Sequence, residues 1–222
     1  MDDLTRNLAR ILGQINQTCE TYHRPADSVR LVAVGKKHPV SRIAALAAAG
    51  QRDFGENYLQ EAQHKMASLD DDPTVAGMNL VWHFIGHIQS RKCADIAAHF
   101  DWVHTVDSLK VANRLSRFRS GKPLNVLIQV NIDEEASKSG ISPAKARELA
   151  EAVAELPNLS LRGLMIIPRP ETDFALQRAT FVRCRELFEE MIAGGLDMDQ
   201  LSMGMTADME AAIAEGATMV RI

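Results

Sequence analysis

The 222-residue sequence has few cysteines, and they are scattered: Cys19, Cys93 and Cys184 form no C-x-x-C pair. That excludes a disulfide framework and a cysteine zinc site, and reads as three free thiols in a reducing cytosol. No apolar run approaches the ~18 residues of a membrane span. The opening, Met1-Asp2-Asp3-Leu4, is acidic and lacks the apolar core of a secretory signal. Basic excess is missing too. With 25 Lys and Arg against 29 Asp and Glu the net charge is −4, which argues against nucleic acid or an anionic membrane as main partner. The chain has no low-complexity tract and no Pro/Gly/Ser-rich linker, so one domain is expected over residues 1–222. Metal-ligand spacing of the H-x-x-E-H kind is absent, as is a complete G-x-G-x-x-G.

What is present is an alternation. Leu4, Leu8, Ile11, Leu12 and Ile15 recur at helical spacing and predict a leading amphipathic helix. Strand-like runs follow at residues 31–35, 53–55, 80–85, 102–106, 126–131, 161–167, 201–203 and 218–222. Helical patterns separate them at 40–49, 57–68, 90–99, 108–119, 143–156, 173–193 and 207–215. Ser142-Pro143 places a cap before a proline at the first helical position. Thr206 is the expected N-cap of the last helix, with Glu210 in its first turn. Eight strands and seven intervening helices imply parallel βα units, and continuous apolar strands such as Val126-Leu127-Ile128 suit a sheet buried on both faces. The expected fold is α/β, a (β/α)8 TIM-type barrel with an extra N-terminal helix. An open doubly wound sheet is the alternative.

In such a barrel the chemistry lies at the C-terminal strand ends. The polar residues there are Lys36, Glu56, Asn57, His83, His104, Asp107, Asn131, Ser202 and Arg221. Lys36 ends Leu31-Val32-Ala33-Val34-Gly35-Lys36; an amine at a strand end suits Schiff-base chemistry once deprotonated, although a solvated loop cation also accounts for it, and Lys37 beside it competes for the inward position. In Phe54-Gly55-Glu56-Asn57, Asn57 is a ligand contact, a helix cap, or both. His83, between Trp82 and Phe84, points away from both and toward the barrel interior, either against a flat ring or as a buried, hydrogen-bonded histidine. Ser202-Met203-Gly204-Met205-Thr206 exposes backbone N–H groups where barrels often hold phosphate, or is an ordinary turn. Arg221 sits in an apolar run and needs a ring nitrogen, carboxylate or phosphate as partner, unless it frays into solvent. Asn131 and Ser137-Lys138-Ser139-Gly140 form a lid, a second anion contact or a solvated turn, and Lys138 is a candidate for transient cofactor binding.

Six segments together resemble a known family. Ala33-Val34-Gly35-Lys36, Phe54-Gly55-Glu56-Asn57-Tyr58, Trp82-His83-Phe84-Ile85-Gly86, Ser137-Lys138-Ser139-Gly140, Gly163-Leu164-Met165 and Leu201-Ser202-Met203-Gly204-Met205 occur in family order. The chain resembles the pyridoxal 5′-phosphate (PLP) homeostasis proteins, a group similar to the N-terminal barrel of alanine racemase. The resemblance implies PLP as cofactor, held by Lys36 as a Schiff base. Asn57 and His83 would line the ring, Met165 would join the site, Ser202 and Gly204 would hold the phosphate, and Arg221 would face the pyridine nitrogen. There are departures: Gly35 stands where the family usually has Ser, Lys37-His38 replaces a Thr-Lys type pair, and Arg91 stands where Asn is common. The sequence stops at Ile222, before a Gly-Thr pair that completes the family's phosphate cradle, so a truncated C-terminus is expected.

An arginine at the pyridine nitrogen disfavours its protonation and hence carbanion chemistry. A racemase also needs a second acid or base, and neither Tyr22 nor Tyr58 is an obvious one. The expectation is therefore a cytoplasmic, monomeric PLP carrier without turnover, exchanging PLP and amino acids and transiently contacting PLP-dependent apo-enzymes. A weak amino-acid racemase is the alternative, and a barrel for another phosphorylated metabolite a third reading.

Overall fold

The computed structural model describes residues 3–135 and 138–222. The reading of the first two residues, and that of Ser137 in the Ser-Lys-Ser-Gly segment, lie outside them.

The chain opens with α1 (Asp3–Thr21), whose Leu8, Ile11, Ile15 and Cys19 stripe is buried. The strands then follow as β1 (Arg30–Val34), β2 (Asp53–Glu56), β3 (Val81–Phe84), β4 (Trp102–Val106), β5 (Leu124–Val130), β6 (Leu159–Ile166), β7 (Gln200–Ser202) and β8 (Met219–Arg221). Between them run α2 (Val40–Ala48), α3 (Leu59–Asp70), α4 (Cys93–His99, entered through a 3-10 turn at Ser90–Lys92), α5 (Leu109–Phe118), α6 (Pro143–Ala154), α7 (Phe174–Ala193) and α8 (Met209–Ala214). Each strand pairs in parallel with the next, and β8 pairs with β1 through Arg30↔Met219 and Val32↔Arg221. Closure satisfies every strand edge, so the barrel is realised and the open sheet is not.

Strand alternation sorts side chains into two cores. Leu31, Ala33, Phe54, Trp82, Phe84, Val103, Leu164 and Val220 point outward into the large layer between sheet and helices. Val32, Trp102, Leu127, Met165 and Met219 form a small apolar cluster inside the barrel. The rest of the interior is polar, with His83, His104, Ser202 and Arg221 buried there. Cys19, Cys93 and Cys184 are all free and buried, and burial pushes the Cys184 thiol up to about 12.

Two helix starts differ from expectation. Asn57 does not cap α3; Tyr58 does, in extended conformation, because the backbone of Asn57 is packed against Gly86, where an added Cβ would fall 2.1 Å from the Asn57 carbonyl oxygen. Thr206 does not cap α8. Asp208 occupies that place, and its carboxylate accepts the Met205 N–H at 2.6 Å to close the turn before the helix.

Candidate functional site at the C-terminal mouth

The chain leaves β1 through a tight turn in which the His38 N–H reaches the Gly35 carbonyl at 3.0 Å. Lys37 has φ of 62° while Lys36 does not, the pattern of a type II turn. Lys36 is therefore on a pinned turn at the mouth, with its side chain exposed. The turn is pinned from below by Lys65 of α3, whose Nζ donates to the Gly35 carbonyl at 2.6 Å, to Glu56 Oε1 at 2.7 Å and to Glu61 Oε1 at 2.6 Å. Glu61 in turn accepts the Lys37 N–H at 2.6 Å, which assigns Lys37's backbone to the scaffold. Glu56 is fully buried and its carboxyl is pushed up, burial outweighing the Lys65 ammonium. Gly35 leaves the space this carboxylate needs, since a Cβ there would lie 2.4 Å from Glu56 Oε1.

A cavity of about 210 Å³ opens at the mouth, lined by Asn57, Thr105, Gln129, Lys138 and neighbours that follow β2 to β6. The side-chain oxygen of Asn57 is buried without a hydrogen-bond partner, so it is an acceptor waiting for a ligand donor. Lys138 lies near Asp133 at 3.6 Å and Glu135 at 3.5 Å.

On the β7–β8 side, Arg221 is buried and does not fray. Its Nη1 donates to Ser202 Oγ at 2.8 Å and its Nη2 to the Ile166 carbonyl at 2.9 Å, two bonds from a group that carries five N–H donors. Burial lowers its pKa to about 10, opposed by Asp208, so it stays a cation at neutral pH. Gly204 has φ of 97°, and its carbonyl accepts the Arg221 backbone N–H. A Cβ there would press 2.6 Å from Ala212 Cβ. Met203 and Met205 have committed their N–H groups to Met219 and Asp208, and the Gly204 N–H has no partner among the described residues.

The predicted residues are thus divided. Ser202, Gly204 and Arg221 are brought together, and Met165 lies beside them in register with Ser202, packed in the apolar interior. Asn57 lines the cavity across the mouth, and Lys36 stands above on its turn. His83 is beneath, not in the cavity lining: it stacks on Trp102 with centroids 5.7 Å apart and bonds His104 and Asp53, each at 2.9 Å. The buried, hydrogen-bonded reading of His83 is the one realised. Sequence reasoning missed Lys65. Its i, i+4 spacing from Glu61 looks like an exposed helix pair, and only its place among Leu59, Ala62, Met66 and Leu69 marks it as inward.

The family profile described as alanine racemase, N-terminal domain, matches residues 7–222. The pyridoxal phosphate homeostasis protein of Pseudomonas aeruginosa is 51% identical, the alignment covering 100% of this chain and 94% of that protein. The protein of the same name from Escherichia coli is 46% identical over 100% and 94%. The structure of PipY from Synechococcus elongatus with PLP bound superposes with a TM-score of 0.84 at 37% identity, covering 99% of this chain and 97% of that one. An alanine racemase from Clostridium difficile shares the fold, at a TM-score of 0.73 and 13% identity over 95% of this chain and 54% of that one.

Proposed function

The chain belongs to the pyridoxal phosphate homeostasis protein family, within the alanine racemase N-terminal barrel class, and we propose from that premise that it binds PLP at the barrel mouth and serves vitamin B6 homeostasis without catalytic turnover. The residues fit the cofactor. Lys36 supplies an amine on a pinned turn, Asn57 an unpartnered buried acceptor, Gly204 an uncommitted backbone N–H, and Arg221 a buried cation. The single observation that carries the reading is the convergence of these groups, from four separate strands, on one end of a closed barrel.

In this reading the Lys36 amine would anchor the cofactor through its aldehyde. The Gly204 N–H would hold the phosphate, and Arg221 would face the ring nitrogen and disfavour its protonation. When bound, PLP would supply an electrophilic carbonyl and an aromatic ring; an arginine at the nitrogen weakens that ring as an electron sink. No tyrosine among the described residues stands at the cavity as a second acid or base. The Tyr22 hydroxyl reaches Glu210 at 3.4 Å between α1 and α8, and neither Tyr22 nor Tyr58 lines the mouth cavity. The arginine and the missing tyrosine support binding without turnover. No helix among the described residues is long and apolar enough to cross a membrane, and three unpaired thiols fit the cytoplasm. A closed barrel offers no unpaired edge strand, which fits a monomer that meets apo-enzymes transiently.

The test is the visible absorption spectrum of the protein with added PLP, repeated on Lys36→Ala, with borohydride reduction and peptide mapping. A band lost in the variant and a reduced adduct on Lys36 are expected. A protein that stays colourless overturns the reading, and amino-acid racemisation that vanishes in Lys36→Ala overturns its non-catalytic part.

A further inference from the structure

The barrel interior contains a continuous row of polar side chains, of which the proposed site uses only Arg221. Asp53, at the N-terminal end of β2, lies 2.9 Å from His83 Nε2. His83 Nδ1 lies 2.9 Å from His104 Nε2, and His104 Nδ1 lies 2.9 Å from Ser202 Oγ. Ser202 Oγ accepts from Arg221 at 2.8 Å. Five side chains from β2, β3, β4, β7 and β8 thus thread the barrel from its closed end to its mouth. Asp53 lies three residues below the end of β2, about 10 Å of strand.

The chemistry of the two ends fixes the direction of every bond. A guanidinium only donates and a carboxylate only accepts. Both histidines are neutral: burial lowers the pKa of each, and for His104 the neighbouring His83 and Arg221 lower it further. A neutral imidazole and a hydroxyl each carry one polar hydrogen. The Asp53 carboxylate accepts, so the His83 hydrogen is on Nε2 and its Nδ1 accepts in turn. The His104 hydrogen is then on Nε2, its Nδ1 accepts the Ser202 hydrogen, and Ser202 Oγ accepts from Arg221. With neutral rings, no other assignment makes all four bonds.

We propose that this row is a positioning device, in which Asp53, His83 and His104 act through Ser202 to fix the orientation of Arg221 and to turn the Ser202 hydroxyl hydrogen away from the mouth. None of the three lines the mouth cavity. The role rests on the reading of Arg221 as the partner of the cofactor ring. Ser202 consequently contributes to cofactor binding by holding Arg221, and its hydroxyl does not donate to the phosphate. Without the acceptor at Asp53, His83 is free to carry its hydrogen on Nδ1. His104 must then reverse and donate to Ser202, whose oxygen has a lone pair for His104 and another for Arg221. The Ser202 hydrogen, released from His104, turns toward the mouth and loosens the seat of Arg221.

The full chain is compared with Asp53→Ala and Asp53→Asn, whose side-chain oxygen still accepts from His83. Nitrogen-15 NMR of the histidine rings, without added cofactor, is expected to show His83 and His104 both protonated on Nε2, and the His104 signals to move in Asp53→Ala. With added PLP, Asp53→Ala is expected to weaken binding by about tenfold, one hydrogen bond's worth, and to shift the visible band, while Asp53→Asn stays near wild type. If Asp53→Ala does not fold, His104→Gln is measured in its place. Wild-type rings protonated on Nδ1, or a variant whose band and affinity match wild type, overturn the proposal. A colourless wild type overturns the cofactor reading and, with it, the role given to the row; a coloured wild type with unmoved variants overturns the row's role alone.

Discussion

Lys65 shows how a single residue sets the geometry of another. Its ammonium lies between Glu56, Glu61 and the Gly35 carbonyl, with only 4% of the side chain exposed and none of Glu56. Removing one partner of such a buried pair leaves an uncompensated charge, which costs about 3–5 kcal/mol. Lys65→Ala is therefore expected to lower unfolding stability by that amount in urea titrations, and to slow borohydride-trapped PLP labelling of Lys36 because the turn above is unpinned. Lys65→Ala with unchanged midpoint and labelling rate would remove it from this role. At this scale the sequence was informative where a strand's alternation decides the matter: Trp82 and Phe84 outward and His83 inward follow from period two. It was silent where two elements must meet, because the Lys65–Glu56 contact joins α3 to β2, and neither segment alone marks its partner.

Among the elements, β6 is the one whose geometry depends most on a glycine. Its register against β5 shifts between Val126↔Leu161 and Leu127↔Gly163, so Arg162 is the extra residue of a bulge. Gly163 has φ of 149°, and a Cβ there would fall 1.8 Å from the Gln200 carbonyl oxygen of β7. Gly163→Ala is expected to cost about 1–3 kcal/mol through overpacking, a fall of about 2–12 °C in thermal midpoint for a chain of this size; an unchanged midpoint would show that β6 can re-register freely. Element types and order were legible because parallel βα units repeat one pattern, apolar run then helical period. The boundaries moved by a residue or two, as at β5, which begins at Leu124 and not at residue 126. The start of α8 moved to Asp208 because a side chain closes that turn, and capping of this kind depends on which of several polar residues reaches the open N–H. Barrel closure itself rests on the β8–β1 pairing, a contact between chain ends that periodicity does not record.

For the molecule as a whole, the polar interior couples folding to acidity. His83 and His104 are held below the ordinary histidine range by burial. The unfolded chain takes up protons near pH ~6.5 that the barrel refuses, so the histidines' contribution is complete above that pH and is lost as the pH falls. Each adds a slope of up to about 1.4 kcal/mol per pH unit below it. The urea midpoint is expected to drop between about pH 7.5 and 5.5, and a flat profile would mean that the rings are charged in the fold. The placement of the thiols has a practical consequence. Cys19, Cys93 and Cys184 are each at 0% exposure, so maleimide reagents find no target on the folded surface. A cysteine introduced at exposed Ser139, on the rim of the mouth cavity, would be the one site that takes up a fluorophore, and the native chain is already a silent background for watching cofactor enter and leave in real time.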